Sequence, residues 1–268
     1  RSGRPQGLGN EHDLVGRYLQ DHPLLDGGSL ELFDRRTWDR STFYDMRSIE
    51  GHSGLGHLAL APRAQLAYGL GGLSATLFPR PNHRRSRAME ALWDEAAAFR
   101  SGRIGRAQLA QLPTMLSGAD FLALAVARKL RWNQSLYHGF GRGGWSTMPG
   151  LPRKFARGSI VHQAEKSPEP ENRVTLNDAR DAVGMPTLDV VWRWSESDAK
   201  RAATGRRIMA EALARAGVGR VTLPDDDDLP GVGRAGGTAH YMGTTRMHHD
   251  PCHGVVDANC RVHTLANL

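Results

Sequence analysis

The sequence has 268 residues, 40% of them hydrophobic, and its 35 basic against 28 acidic residues give a formal net charge of +7. This length suits one large domain or two unequal ones, and no run of 18 apolar residues that could span a bilayer occurs in it. The positive charge does not predict a nucleic-acid partner, because the arginines are scattered among acidic residues rather than clustered.

Neither the first residues nor the cysteines identify a compartment. RSGRPQGLGNEHD contains no apolar segment of a signal peptide, so cytoplasmic and periplasmic locations both stay open. Two cysteines, Cys252 and Cys260, are too few for a disulfide framework.

The N-terminal half predicts loop, then strands, then helices. Residues 1–28 are rich in Gly, Pro and Asp and predict turns, with one short helical pattern at 13–19. Apolar groups broken by glycines then predict antiparallel strands at 55–60, 66–70 and 73–77. From Ser86 onward, apolar residues at helical spacing predict helices at 86–101, 106–112 and 118–132.

The C-terminal half predicts a long loop, three strands and one more helix. Residues 139–158 are rich in glycine, proline and arginine and predict loop. Strands are predicted at 159–164, 173–176 and 187–194. A capped amphipathic helix is predicted to begin after Ser197 and to end at Gly217, and the run Asp225–Asp228 predicts a solvated loop.

Two glycine patterns match the G-x-G-x-x-G of dinucleotide-binding folds, which must lie between a strand and a helix. The first is followed by two prolines instead of a helix, although Glu165 stands near the distance of an acidic ribose ligand. The second follows DDDDLP, which is not a strand. Both are therefore predicted to be loops; they comprise Gly139, Gly141 and Gly144, and Gly231, Gly233 and Gly236.

Polar side chains concentrate in the last thirty residues. Histidine and cysteine are the preferred zinc ligands, but the closely spaced couples of a zinc site are only half present, so no metal is predicted. The residues are His240, His248, His249, Asp250, Cys252, His253, Asp257, Cys260 and His263.

This end of the chain also contains a longer pattern: H-x-M-G-T-T-R-M, then D-P, then G-V-V-D-x-N-C-R-V-H and finally N-L. It closely resembles the C-terminal signature of the glucose-methanol-choline (GMC) oxidoreductases, particularly the bacterial sugar and polyol dehydrogenases. Two further segments resemble the family in the right order: GLGNEHDLVGRYLQDHP from Gly7, and EKSPEPENRVTL from Glu165 with the residues after it.

The resemblance implies an α+β fold, in which an antiparallel sheet flanked by helices forms the GMC substrate domain. Remnants of an FAD-binding α/β domain are expected at both ends of the chain. The expected parts are residues 1–28, trailing from the FAD-binding domain, 29–230, the substrate domain, and 231–268, returning into the FAD-binding domain.

The resemblance further implies hydride transfer from the CH–OH group of a sugar, polyol or other alcohol to FAD. His240 stands at the position of the family's catalytic histidine, and an imidazole suits a base that takes the hydroxyl proton; the alternative is a histidine that only forms structural hydrogen bonds. Gly243 and Thr244 are expected to bring the loop against the flavin, or to form an ordinary turn, and Tyr241 to line the substrate pocket. Oxygen, a quinone and a cytochrome stay open as electron acceptors.

The sequence departs from the family pattern at both ends and at three single positions. The strand, glycine motif and helix that hold the ADP half of FAD are missing, and the family's second catalytic His or Asn is expected beyond Leu268. Lys166 replaces a common glutamine, His248 and Thr264 replace usual glycines, and Asp257, Asn259 and Arg261 are expected to be structural. The favoured expectation is a fragment of a complete flavoenzyme that binds FAD weakly or not at all by itself; the competing explanation is a natural short protein that has lost FAD binding. For function, the alternative is a non-catalytic fragment or interaction module of the same fold without FAD binding.

Overall fold

The structure is a computed structural model. It describes residues 6–45, 47–50, 52–81, 83–102, 110–132, 145–146, 150, 155–225 and 239–265. Within these residues, no helix has the length and apolar character needed to cross a bilayer.

Strands and helices alternate irregularly along the chain. In order they are β1 (Leu24–Leu32), α1 (Thr37–Arg40), β2 (Arg47–Ile49), β3 (His52–Gly54), β4 (Leu58–Ala59), α2 (Pro62–Tyr68), β5 (Leu73–Pro81), α3 (His83–Arg100), α4 (Leu112–Ser117), α5 (Ala119–Trp132), β6 (Phe155–Ala164), β7 (Arg173–Arg180), β8 (Pro186–Val191), α6 (Glu196–Arg215) and β9 (Gly219–Thr222).

A five-stranded antiparallel sheet forms the centre, in the order β4-β5-β6-β1-β9. β5 shows why the sheet buries one face: in LSATLFPRP every second residue from Leu73 to Pro81 is buried and those between are half-buried. This alternation is the period-2 pattern of a strand with one face in the core. β7 and β8 form a separate two-stranded hairpin.

Helix α6 covers the buried face of the sheet. Its first turn is capped by the Ser195 hydroxyl, which accepts a hydrogen bond from the Asp198 N–H at 3.1 Å. Met209 and Leu213 then pack onto the apolar side chains of β1, β5 and β6. Each such side chain contributes about 1.5–3 kcal/mol when it leaves water, so this layer holds α6 on the sheet.

A second apolar cluster joins β6 to helices α3 and α5. Trp38 and Trp145 meet edge to face with ring centroids 5.5 Å apart, and Phe121 and Phe155 are fully buried beside them. Edge-to-face contact is a preferred geometry of aromatic pairs. The cluster fixes the helical layer at the end of the sheet away from Leu73.

The predicted α+β class, with an antiparallel sheet and flanking helices, is confirmed. The helices at 86–101 and 118–132, the strands from 159, 173 and 187, and the C-terminal amphipathic helix are also confirmed, with shifted ends. The N-cap of α6 is Ser195 rather than Ser197, because Ser195 is the hydroxyl within reach of the Asp198 N–H.

Other elements differ from the predictions. The predicted strand at 66–70 lies mostly in α2, where Pro62 begins the helix and Gly69 ends it. The helical pattern at 13–19 forms turns, because its backbone bonds to β7 and to the C-terminal loop instead. β1 begins at Leu24 and crosses the expected domain boundary at residue 28, and β6 begins at Phe155, inside the predicted loop.

Several predictions fall outside the described residues. These are most of the helix at 106–112, most of residues 139–154 in the loop predicted at 139–158, both glycine motifs and the last three aspartates of the run at 225–228.

His162 is buried in the centre of the sheet, with 1% of its surface exposed, and its Nδ1 donates to the Ser74 carbonyl at 3.0 Å. Burial holds its pKa below the ordinary 6.5, and the nearby Arg206 guanidinium acts in the same direction. The unfolded chain therefore binds a proton near pH 6.5 that the folded protein resists, so stability falls as the pH drops below that value.

We expect the free energy of unfolding to decrease by up to about 1.4 kcal/mol per pH unit below 6.5 through this residue. Urea titrations at pH 7 and pH 5 measure it. His162→Gln keeps a hydrogen-bond donor and removes the titrating imidazole. The variant is therefore expected to lose less stability than the wild type between pH 7 and pH 5. The matched control, His57→Gln, removes an exposed imidazole; an equal pH effect in the two variants would contradict the prediction.

Candidate functional site

Two segments far apart in sequence form the site. We call residues 16–23 the entry segment and residues 239–265 the histidine loop. Gln20 and Met242 exchange backbone hydrogen bonds at 2.9 and 3.0 Å, and the Gly16 N–H donates to the Thr244 carbonyl at 2.9 Å. The entry segment therefore pairs with the histidine loop along one edge.

The other edge of the entry segment bonds to β7 and the turn before it. The Gly16 carbonyl accepts from the Val174 N–H at 2.9 Å, and the Leu19 N–H donates to the Asn172 carbonyl at 2.8 Å. The Gln20 side chain also donates to the Lys166 carbonyl at 2.8 Å. The histidine loop is thereby held on the folded body through the entry segment.

Asp21 and His22 hold His240 from two sides. The buried Asp21 carboxylate accepts from the backbone N–H groups of Ala239 and His240, at 3.1 and 3.3 Å. His22 Nε2 and His240 Nδ1 lie 2.8 Å apart, so one of these nitrogens donates to the other. The His240 side chain is otherwise exposed, which leaves its Nε2 available to a ligand.

Tyr241 and Thr244 line one side of an open cavity of about 410 Å³. Its other walls are mostly apolar and come from the entry segment and the hairpin: Leu19, Asp21, Val174, Val190 and Trp192. Asp21 is the link to His240, because its carboxylate binds the His240 N–H while its side chain lines the cavity. The volume lies within the range of about 300–1,000 Å³ that is typical of small-molecule sites.

Gly243 occupies a position that only glycine fits. Its φ is +94°, and a Cβ there would collide with the carbonyl oxygen of Tyr18. The close approach of these two backbones therefore accounts for the glycine in the described structure. Contact of Gly243 with a flavin stays a prediction.

Beyond Thr244, two aspartates close the turns of the histidine loop. Asp257 accepts from the backbone N–H groups of Arg261 and Asn259, at 3.0 and 2.8 Å, and these bonds hold its pKa below the ordinary value. Asp250 accepts in the same way from Cys252 at 2.8 Å, which lowers the Asp250 pKa. These contacts give both carboxylates a structural role, which is what the sequence predicts for Asp257.

Histidines of the loop gather around His248, whose ring also meets that of His253 edge to face with centroids 5.3 Å apart. Cys252 lies 3.8 Å from His12, and His248 stacks on His249. Across the described part of the chain, no three His, Cys, Asp or Glu side chains come together as metal ligands would.

The hairpin next to the cavity presents an apolar face to solvent. Leu176 pairs with Leu188 and Val174 with Val190, so these side chains share one face. Leu176, Leu188 and Val190 are 69%, 59% and 61% exposed. Contiguous exposed apolar surface of this kind marks interaction sites.

Asp21 and His22 are site residues that sequence reasoning missed. They lie 219 and 218 positions from His240, and periodicity carries no information on such pairings. The available signal was the segment GLGNEHDLVGRYLQDHP, which resembles the family and ends with these two residues and Pro23.

Comparison with known proteins finds one family model that matches part of the chain and two similar proteins. Residues 168–268 match the sequence model of a family described as GMC oxidoreductase. The chain is 32% identical over 139 residues to 6'''-hydroxyparomomycin C oxidase of Streptomyces lividus, an alignment that covers 47% of this chain and 24% of that protein. It is 34% identical over 121 residues to the fructose dehydrogenase large subunit of Gluconobacter japonicus, covering 44% of this chain and 21% of that protein. The alignments thus span less than a quarter of either relative.

Proposed function

Because residues 168–268 belong to the GMC oxidoreductase family, we propose that this chain is the substrate-side part of a flavin-dependent oxidoreductase. Its reaction is the oxidation of a CH–OH group of a sugar, polyol or other alcohol. The observation that carries the proposal is the contact at 2.8 Å between His22 of the entry segment and His240, which lies on the loop within the matched residues.

His240 is the base in this proposal. Its Nδ1 is engaged by His22 and its backbone N–H by Asp21, which fixes the direction in which Nε2 points. Nε2 takes the proton from the substrate hydroxyl, and the alkoxide that develops releases its hydride more readily. Preorganisation by neighbours is valuable here, because a misplaced base loses much of its effect.

The cavity lined by Tyr241 and Thr244 suits a flat ring, because its other walls are mainly apolar and include the Trp192 indole. Gly243 and Thr244 would hold FAD against this loop, and Tyr241 would contact the substrate. FAD supplies the hydride acceptor when it is bound. Neither glycine motif of this chain has the sequence context of a site for the ADP half.

The parts proposed for the chain are residues 1–23 and 231–268 as pieces of the FAD-binding domain, with 24–230 as the substrate domain, because β1 of the central sheet begins at Leu24. The backbone pairing of Gln20 with Met242 and of Gly16 with Thr244 supports this division. Through this pairing the entry segment and the histidine loop contact each other, as two parts of one domain would. The exposed apolar face of β7 and β8 is then a surface that the rest of the enzyme covers.

The names of the relatives favour sugars within this class. One acts as an oxidase of 6'''-hydroxyparomomycin C and the other as a fructose dehydrogenase. We therefore place sugars and polyols ahead of simple alcohols as substrates of this chain.

Anaerobic mixing of the FAD-loaded enzyme that contains this chain with fructose, sorbitol or ethanol tests the proposal. We expect the two polyhydroxylated compounds to bleach the visible flavin absorbance faster than ethanol. Flavin that stays oxidised with every sugar and alcohol would rule the function out. The 268-residue chain by itself is expected to retain little FAD. Purified chain that carries one FAD per molecule would contradict this expectation.

His22 provides a separate prediction as a positioning residue. His22→Leu removes the partner of His240 Nδ1 and is expected to lower kcat about tenfold, with a smaller change in KM. His22→Gln offers an amide to the same nitrogen, so it is expected to recover part of the loss. Steady-state kinetics on the FAD-loaded enzyme measure both, and equal rates for the two variants would show that His22 does not act through its hydrogen bond.

The second candidate function is a non-catalytic interaction module, and the exposed apolar face of β7 and β8 favours it. The two candidate functions predict different results for one experiment. If the chain is an interaction module, substitution of His240 leaves alcohol oxidation by the enzyme intact.

A further inference from the structure

A larger open cavity, of about 910 Å³, lies between the central sheet and the start of α3. Among the described residues, it shares no lining residue with the cavity at Tyr241 and Thr244. Two arginines line it, Arg80 of β5 and Arg157 of β6. The proposed oxidation uses neither of them.

Arg80 and Arg157 lie directly opposite each other on the two strands. They are partners in the register of β5 with β6, so their side chains project from the same face of the sheet. Cβ atoms of such pairs are about 4.5–5.5 Å apart, and like charges at directly opposite positions are destabilising. An anion in contact with both guanidinium groups would offset this repulsion.

The donor groups of the two arginines can be reached from the cavity. Among the described residues, the half-buried Arg80 side chain bonds to Ser159 alone, whose hydroxyl accepts from Nε at 2.8 Å. The terminal nitrogens of Arg80 are not buried, and Arg157 is exposed. Because the Ser159 oxygen is the acceptor of that bond, its own hydrogen is left to donate to a ligand.

The acidic side chains of the cavity do not neutralise these arginines. Asp26 and Glu90 also line it, but within the described part of the chain neither forms an ion pair with Arg80 or Arg157. Asp26 Oδ1 accepts from the Gly28 N–H at 2.8 Å. Its partner on β6 lies four residues from Arg157, which is about 13 Å along a strand. The positive charge is therefore concentrated at the end of the cavity where the two arginines lie.

The two arginines select the class of ligand. Paired N–H donors of arginine bind carboxylate and phosphate groups. A carboxylate carries one negative charge, whereas a phosphate monoester carries about −1.5 to −2 at neutral pH and has three acceptor oxygens. The phosphate thus matches two guanidinium groups and a hydroxyl donor better.

The size of the cavity indicates a ligand larger than phosphate itself. Its volume falls within the range of about 300–1,000 Å³ that is typical of small-molecule sites, and it extends from the arginines along β1 to Leu24. We propose that this cavity binds a phosphorylated small molecule of about the size of a sugar phosphate. The phosphoryl group lies between Arg80 and Arg157 in this proposal.

Isothermal titration calorimetry of the 268-residue chain with glucose 6-phosphate tests the inference. We expect saturable binding at one site per chain. Glucuronate, which carries a carboxylate instead of the phosphate, is expected to bind about tenfold more weakly, and glucose not measurably. Inorganic phosphate is expected to bind more weakly than glucose 6-phosphate, because it contacts the arginine end alone. The assay needs neither FAD nor turnover, so its failure is separate from failure of the proposed oxidation.

Arg157→Gln is expected to weaken glucose 6-phosphate binding about tenfold or more, as loss of a charged hydrogen-bond donor does. Its side chain is exposed, so the fold is expected to persist. Arg80→Gln is expected to weaken binding to a similar extent. Arg63→Gln is the matched control, because Arg63 is an exposed arginine of α2 that does not line the cavity.

Three results would each overturn the proposal. The first is the absence of saturable binding of glucose 6-phosphate. The second is an equal affinity for glucose 6-phosphate and for either glucose or inorganic phosphate. The third is an equal loss of affinity in Arg157→Gln and Arg63→Gln, which would show that net charge rather than the cavity determines binding.

Discussion

Replacing His240 with Gln is expected to lower kcat/KM for alcohol oxidation by about 10²- to 10⁴-fold, the usual contribution of a positioned general base. Glutamine retains hydrogen-bonding capacity but cannot take a proton near neutral pH, so substrate binding suffers less than turnover. The loss therefore falls mainly on kcat. Flavin-reduction rates under anaerobic conditions measure it in the FAD-loaded enzyme, with flavin content determined for each variant.

His249→Gln is the matched control. His249 is an exposed histidine of the same loop, and its ring stacks on His248 rather than on His22 or His240. Its substitution is expected to leave flavin reduction close to the wild-type rate. If His240→Gln reduced its flavin as fast as His249→Gln, then His240 would not be the base and the interaction-module alternative would gain support.

Replacing Gly243 with Ala has the second large expected effect, on stability. The position has φ +94°, and its new Cβ would meet the Tyr18 carbonyl oxygen, which belongs to the backbone and cannot move aside easily. Positive φ and steric overlap together are expected to cost about 2–4 kcal/mol. The damage is local to the pairing of the entry segment with the histidine loop, so catalysis should fall with it.

Gly217→Ala separates the cost of positive φ from the cost of steric overlap. Gly217 also has positive φ, +72°, but a Cβ there meets nothing within 4 Å. Only the conformational cost of about 1–2 kcal/mol is expected at this position. Urea unfolding of both variants gives the comparison; equal destabilisation would mean that contact with Tyr18 does not explain Gly243.

Site residues that lie close together in the sequence could be predicted together, whereas their surroundings could not. His240, Tyr241, Gly243 and Thr244 lie within five residues, so one motif was enough to nominate them together. The structure separates their surroundings: Tyr241 and Thr244 line the apolar cavity, Gly243 packs against Tyr18, and His240 pairs with His22. Their roles toward flavin and substrate stay predictions.

Elements whose pattern reflects their own burial could be predicted from sequence. β5 alternates every second residue because one face is in the core, and α6 places Met209 and Leu213 one turn apart because it covers that core. The strand predicted at 66–70 was wrong because a short apolar run fits a helix equally well. There Pro62 and Gly69, at the two ends of α2, were the better signal.

The sequence by itself determined the α+β class, the main helices and strands, and the motif that places His240 on a loop, because each depends on residues close together in the chain. Only the tertiary structure decided that His22 and Asp21 hold His240 and that the entry segment and the hairpin complete the cavity at Tyr241 and Thr244. These pairings depend on which backbones meet across more than 200 residues for His240, and on the packing of β7 and β8 beside the entry segment for the cavity. No local pattern encodes such contacts.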